Sequence, residues 1–176
     1  MPAVLLIALK GHPGVGKSVV ARALGRRLAM PVIDKDDIKD VLDERCADPG
    51  GLSYTVMFSI AQRQLLQGLS VICDSPLSEV GGYTAACHVA RSVSARLVVV
   101  ECVCSSRAEW RRRIEKRAAL QLPAHHVTSW DDLVAHLQRR AATSDYPIDA
   151  PHLVVDTVEA LEDVVRQVVT WLSRLI

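Results

Sequence analysis

Val4-Leu5-Leu6-Ile7-Ala8-Leu9-Lys10-Gly11-His12-Pro13-Gly14-Val15-Gly16-Lys17-Ser18 decides how the rest of this chain is read. The apolar run Ala3–Leu9 is continuous rather than alternating, the pattern of a strand buried on both faces of a parallel sheet. It stops at a Gly-rich turn. Helical spacing follows at once, with Val20, Ala23, Leu24 and Leu28 recurring at three- and four-residue steps until Pro31. The turn itself, Gly11–Ser18, fits G-x-x-x-x-G-K-[ST] without a mismatch. Its glycines permit backbone conformations closed to other residues and let amides come close to an anion. Successive N–H groups then form a nest, and the helix dipole beginning at Lys17 adds positive potential.

That geometry implies a nucleotide triphosphate. Lys17 is expected to reach the β- and γ-phosphates and the Ser18 hydroxyl to bind Mg²⁺, so ATP and Mg²⁺ are the expected cofactors. The expected nucleotide-binding residues are Gly11, His12, Pro13, Gly14, Val15, Gly16, Lys17 and Ser18, with Val19 adjoining. His12 occupies a variable position of the motif and reads as a rim residue. The loop alone does not separate kinases from switches or motors, and downstream residues must do that.

Working outward, strands and helices alternate. Short strands are expected at Val32-Ile33, Ser70–Cys73, Arg96–Val103 and Leu153–Asp156. Helices are expected at Lys17–Ala29, Asp36–Cys46, Leu52–Gln67, Gly81–Val93, Arg107–Ala119, Trp130–Ala142 and Val158–Leu175. Asp48–Gly51 and Gln121–Ser129 read as loops. This alternation predicts an α/β fold with a five-stranded parallel sheet covered on both faces, in one domain over residues 1–176.

Composition narrows the function class. Apolar residues make up 49% of the 176, so the chain is globular, and with aromatics at 4% its core must be aliphatic. A net charge of +1 argues against a nucleic-acid partner. The five cysteines include no CxxC pair, and the apolar neighbours of Cys73 and Cys102 predict buried free thiols. No apolar run is long enough to span a bilayer, so a cytoplasmic protein without membrane contact is expected.

Acids stand where the strands end. Asp34-Lys35-Asp36-Asp37-Ile38-Lys39 follows the second strand, and Asp74 closes the third. In doubly wound sheets ligands bind beyond the carboxyl ends of the strands, where a carboxylate can take the proton of an attacking hydroxyl. The same acids also suit helix capping. Downstream, Trp110–Arg117 is strongly basic, and Arg113 and Arg117 share a helical face.

With these residues in view, the chain resembles the P-loop kinase superfamily, in particular the small AAA-type group of zeta toxins, chloramphenicol phosphotransferases and polynucleotide kinases. The resemblance runs from Val4 to about Arg117 and returns at Leu153–Thr157. It implies a P-loop NTPase three-layer α/β/α sandwich of the nucleoside-monophosphate-kinase type. That group carries a motif close to D-D-x-R after strand two. Asp36-Asp37-Ile38-Lys39 matches it, with lysine in place of arginine. By the resemblance Asp36 is the general base and Lys39 an acceptor contact. Lysine lacks the bidentate fork of arginine, which weakens the case for a phosphate-bearing acceptor. Asp74 is implied as a Mg²⁺ or acceptor residue, and Arg113 and Arg117 as a lid pair on the phosphates, in a basic lid over about 107–130. Asp156, with Thr157, is implied beside the adenine.

The expected activity is ATP-dependent phosphoryl transfer to a hydroxyl of a small-molecule acceptor, a metabolite or an antibiotic-like compound. A polynucleotide 5′-kinase or nucleotide kinase is one alternative. A nucleotide-dependent switch is another, although no N-K-x-D guanine motif is present. Residues 121–151 carry no assignable motif, and His125, His126 and His136 read as surface residues.

Overall fold

The structure is a computed structural model that describes residues 4–43, 45–120 and 129–175. Five parallel strands form one sheet: β1 (Leu5–Lys10), β2 (Val32–Asp34), β3 (Val71–Asp74), β4 (Arg96–Val103) and β5 (His152–Asp156). The helices are α1 (Lys17–Leu28), α2 (Lys35–Leu42), α3 (Pro49–Leu66), α4 (Val80–Ser92), α5 (Arg107–Ala119), α6 (Trp130–Ser144) and α7 (Leu161–Leu172). The expected α/β sandwich is therefore what the chain forms.

Each face of the sheet has its own aliphatic core. Leu5, Ile7 and Leu9 of β1 pack with Ile72, Val98 and Val100 under α1 and α7, through Val20, Leu24, Val164, Val168 and Leu172. Leu6 and Ala8 point the other way, with Val71, Cys73 and Val99, under Met57, Phe58 and Ala61 of α3 and Ala86 and Ala90 of α4. Period-two alternation in an all-apolar run produces this, since successive side chains leave opposite faces. Cys73 and Cys102 lie inside as free thiols, as expected. No described helix is long and apolar enough to cross a membrane.

The strand order is β2-β3-β1-β4-β5. The chain thus crosses over to β2 and returns, placing β3 between β2 and β1. The register pairs Asp34 with Asp74, so two carboxylates end adjacent strands. Asp74, and not an acid after β2, is the nearer to the strand that feeds the loop.

Among the boundaries that differ from the sequence reading, two have clear local reasons. Asp48–Gly51 is no loop, because α3 begins at Pro49, with the Asp48 carboxylate accepting from Gly51 N at 2.9 Å. Proline at the first helical position and an aspartate cap start a helix despite two glycines. At the other end α7 starts at Leu161 rather than Val158, because Asp156 Oδ1 accepts from Val158 N at 3.1 Å and holds a turn there. The expected loop over 121–128, with His125 and His126, lies outside the described residues.

Candidate active site

The carboxyl ends of β1, β2 and β3 open into a cavity of about 1340 Å³. One wall is the turn between β1 and α1. Gly16 caps α1 at φ 102° with no side-chain cap, so the amides of the first turn are left to an incoming anion. Gly11 and Gly14 also have positive φ, at 142° and 79°. A Cβ on Gly11 would lie 2.4 Å from the Cys102 carbonyl oxygen, and one on Gly14 2.4 Å from Ile114 Cδ1. Glycine is thus required there by conformation and by packing.

Lys17 Nζ donates to His12 O at 3.0 Å. Burial lowers the Lys17 pKa, and Asp74 and Asp36 pull it partly back. His12 stacks on Trp110 with ring centroids 6.1 Å apart, and burial, then Lys10 and Lys17, lower its pKa.

Asp74 is 3% exposed, and its Oδ2 has no hydrogen-bond partner among the described residues. Burial raises its pKa, while Lys17 and a hydrogen bond with Ser18 oppose the rise. A buried, unsatisfied carboxylate oxygen beside a serine hydroxyl fits a hydrated magnesium ion, which prefers few protein ligands. Among the described residues no group of three or more His, Cys, Asp or Glu forms a complete metal cage. Ser18 and Asp74 would therefore supply only part of such an ion's shell, leaving the rest to phosphate and water.

The facing wall comes from α2. Asp34 is the cap, accepting from Asp36 N at 2.9 Å. Burial and then the Asp74 charge push its pKa up to about 6. With the cap taken by Asp34, the Asp36 side chain lines the cavity instead. Lys35 Nζ lies 3.2 Å from Asp36 Oδ1 and 5.4 Å from the centre of the Tyr54 ring, orienting the carboxylate. Lys39 also lines the cavity, with Nζ 3.9 Å from Asp43.

The two arginines expected to act together part company. Arg117 lines the cavity, where burial lowers its pKa and Asp36 opposes that shift. Arg113, one turn earlier, also lines the cavity, but its guanidinium hydrogen-bonds to protein atoms. Its Nε donates to Glu109 at 2.8 Å, Nη1 to Val15 O at 3.1 Å and to Thr157 Oγ1 at 2.8 Å, and Nη2 to Thr157 O at 2.7 Å. Four donor contacts tie the Arg113 guanidinium to the chain's own oxygens. Asp156 is also directed elsewhere: its Oδ1 accepts from Ser105 N and Val158 N, and the Ser105 hydrogen bond is the main cause of its lowered pKa. Thr157, Glu159 and Leu161 line the cavity in its place.

Sequence reading gave no role to Trp110, Tyr54 or Lys35. Trp110 Nε1 donates to Pro13 O at 2.8 Å, across 97 positions of sequence. The Tyr54 hydroxyl accepts from Leu77 N at 3.2 Å and holds that residue at φ 41°, beside Asp74. None of these contacts has a local motif; an aromatic residue inside a basic helix was the one available hint.

A family model described as AAA domain matches residues 6–128. No curated protein matches the sequence. Among solved structures, a candidate kinase from Chloroflexus aurantiacus superposes with a TM-score of 0.76 at 23% identity, covering 96% of this chain and 98% of that one. The APS kinase CysC of Mycobacterium tuberculosis, solved with AMPPNP and APS, gives 0.70 at 16% identity, with 98% and 99% covered. A gluconokinase from Sinorhizobium meliloti gives 0.66 at 18%, with 99% and 93% covered. At these identities the likeness is one of fold, that of the small P-loop kinases.

Proposed function

This chain belongs to the AAA domain family, and from that membership we propose that it is an ATP-dependent phosphotransferase acting on a hydroxyl of a small molecule. One observation carries the reading: a single cavity has Gly14, Gly16, Lys17 and Ser18 on one wall and Asp36, Lys39 and Asp74 on another. Phosphoryl transfer needs that pairing, with fixed positive charge around the triphosphate and a base at the acceptor.

In this reading Asp36 accepts the proton of the acceptor hydroxyl. The acceptor oxygen bonds to the γ-phosphorus as the bond to the bridging β–γ oxygen breaks, and ADP leaves. Lys17 and the loop amides hold the transferring charge, with Arg117 approaching from the lid side. Lys39 orients the acceptor. Ser18 and Asp74 would hold magnesium, which supplies charge neutralisation on the phosphate oxygens when bound.

The test is ADP release from ATP and magnesium, with and without a panel of hydroxylated metabolites and antibiotics. An active acceptor raises ADP release and gains one phosphoryl group by mass spectrometry, and Lys17→Ala abolishes both. Nucleotide binding with no phosphorylated product from any class of hydroxyl acceptor would refute the transfer reading.

A further inference from the structure

We infer that Arg113 and Thr157 form a clamp that shapes the phosphate loop from its outer side, making Arg113 a positioning residue and not a phosphate ligand. The inference rests on the nucleotide reading above. It begins with the peptide unit, which is planar and trans, so a carbonyl turned outward forces the next N–H inward. Two carbonyls of the loop are held outward. Pro13 O accepts from Trp110 Nε1, and Val15 O accepts from Arg113 Nη1 and from the Thr157 hydroxyl. The N–H groups of Gly14 and Gly16 belong to those same two peptide units. Anchoring the carbonyls therefore aims both amides into the cavity before any anion arrives.

The clamp is tied to the sheet. Thr157 N donates to Val103 O at 2.9 Å, and the Thr157 Oγ1 stands 3.0 Å from the same carbonyl. Glu109, in the first turn of α5, holds Arg113 from its other edge through Nε at 2.8 Å. Glycine at position 14 leaves room for the Trp110 contact, since a Cβ there would stand 3.2 Å from Trp110 Nε1. A Cβ on Gly16 would stand 3.4 Å from Arg113 Nη1 and 3.5 Å from the Thr157 side chain. Preorganised amides need no reorientation when charge arrives, which is how such a loop gains affinity. Arg117, four residues on, lines the same cavity.

Two measurements test this on the intact chain. The first is amide hydrogen exchange at Gly14 and Gly16 without ligand. The second is affinity for magnesium ADP, with and without aluminium fluoride, which mimics the transferring phosphoryl group. Thr157→Val and Arg113→Met are expected to speed exchange at both amides. Each should weaken ADP and the aluminium fluoride complex by the same factor, about tenfold, as loss of a charge-assisted contact predicts. Thr157→Ser, which keeps the hydroxyl, should restore both values. If Arg113→Met leaves exchange and ADP affinity unchanged and loses only the aluminium fluoride complex, Arg113 is a phosphate ligand and the clamp is wrong. Should Arg113→Met fail to fold, Thr157→Val with its serine rescue decides the matter. An unsubstituted chain that binds no ADP defeats the nucleotide reading, while exchange in the ligand-free protein still shows whether the clamp exists.

Discussion

The two walls of the cavity are built on opposite plans. On the nucleotide side every glycine position of the loop is filled around: a Cβ at Gly11 would meet a carbonyl oxygen at 2.4 Å and one at Gly14 a methyl at 2.4 Å. On the acceptor side the filling is uneven: a Cβ at Gly81 would meet nothing within 4 Å and at Gly50 only Asp48 at 3.6 Å, while at Gly51 it would run into the Asp48 carboxylate and at Gly82 it would stand 3.3 Å from Leu77. Carboxylates are likewise held differently. Asp156 behind the loop accepts two backbone amides, whereas Asp74 Oδ2 is buried without a partner. The lesson is physical. The loop wall is close-packed around its glycines, while the wall facing it is filled unevenly.

The sharpest break would come at Asp36. Asp36→Asn should lower acceptor-dependent turnover by about 10²–10⁴-fold, the usual worth of a general base, with nucleotide affinity held within about threefold. Steady-state kinetics beside calorimetry checks this, and equal losses in both would show that the walls are not independent. Next comes Gly11→Ala. Its φ of 142° and the Cys102 carbonyl leave a methyl no room, so a loss of about 2–4 kcal/mol in denaturant unfolding is expected.

A smaller effect tests the crowded charge of the acceptor side. Burial and then the Asp74 charge push the Asp34 carboxyl up to about 6, above the usual carboxylate range. A raised acid binds more protons when folded, so its contribution to stability falls as pH rises from about 4 to 6. Asp34→Asn keeps an acceptor oxygen for Asp36 N. It should therefore gain about 1 kcal/mol at pH 8 and nothing at pH 3, read as melting curves across that range. The smallest change is Gly81→Ala. It adds a methyl in open space on α4 and should stabilise by about 0.5 kcal/mol, helix propensity being the reason. A large destabilisation there would mean that the acceptor wall is as tightly filled as the loop.

Legibility in the sequence followed the range of the interaction. Lys17 and Ser18 were readable because their task depends on backbone and side chains within eight consecutive residues. Asp36 was readable as a candidate, but its freedom from capping was not, since that rests on Asp34 turning its Oδ1 to Asp36 N. Arg113 and Arg117 looked equivalent on spacing. Thr157, from 44 residues away, engages Arg113, which no spacing foretold.

The sequence by itself determined the buried first strand, the anion-holding turn and the alternation that makes an α/β sheet, because period and turn chemistry are local. Tertiary structure alone decided that β3 lies between β1 and β2, that Asp34 and Asp74 end side by side, and that Arg113 faces the back of the loop. Those arrangements arise from crossover connections and contacts across the sheet, where distance along the chain carries no information about distance in space.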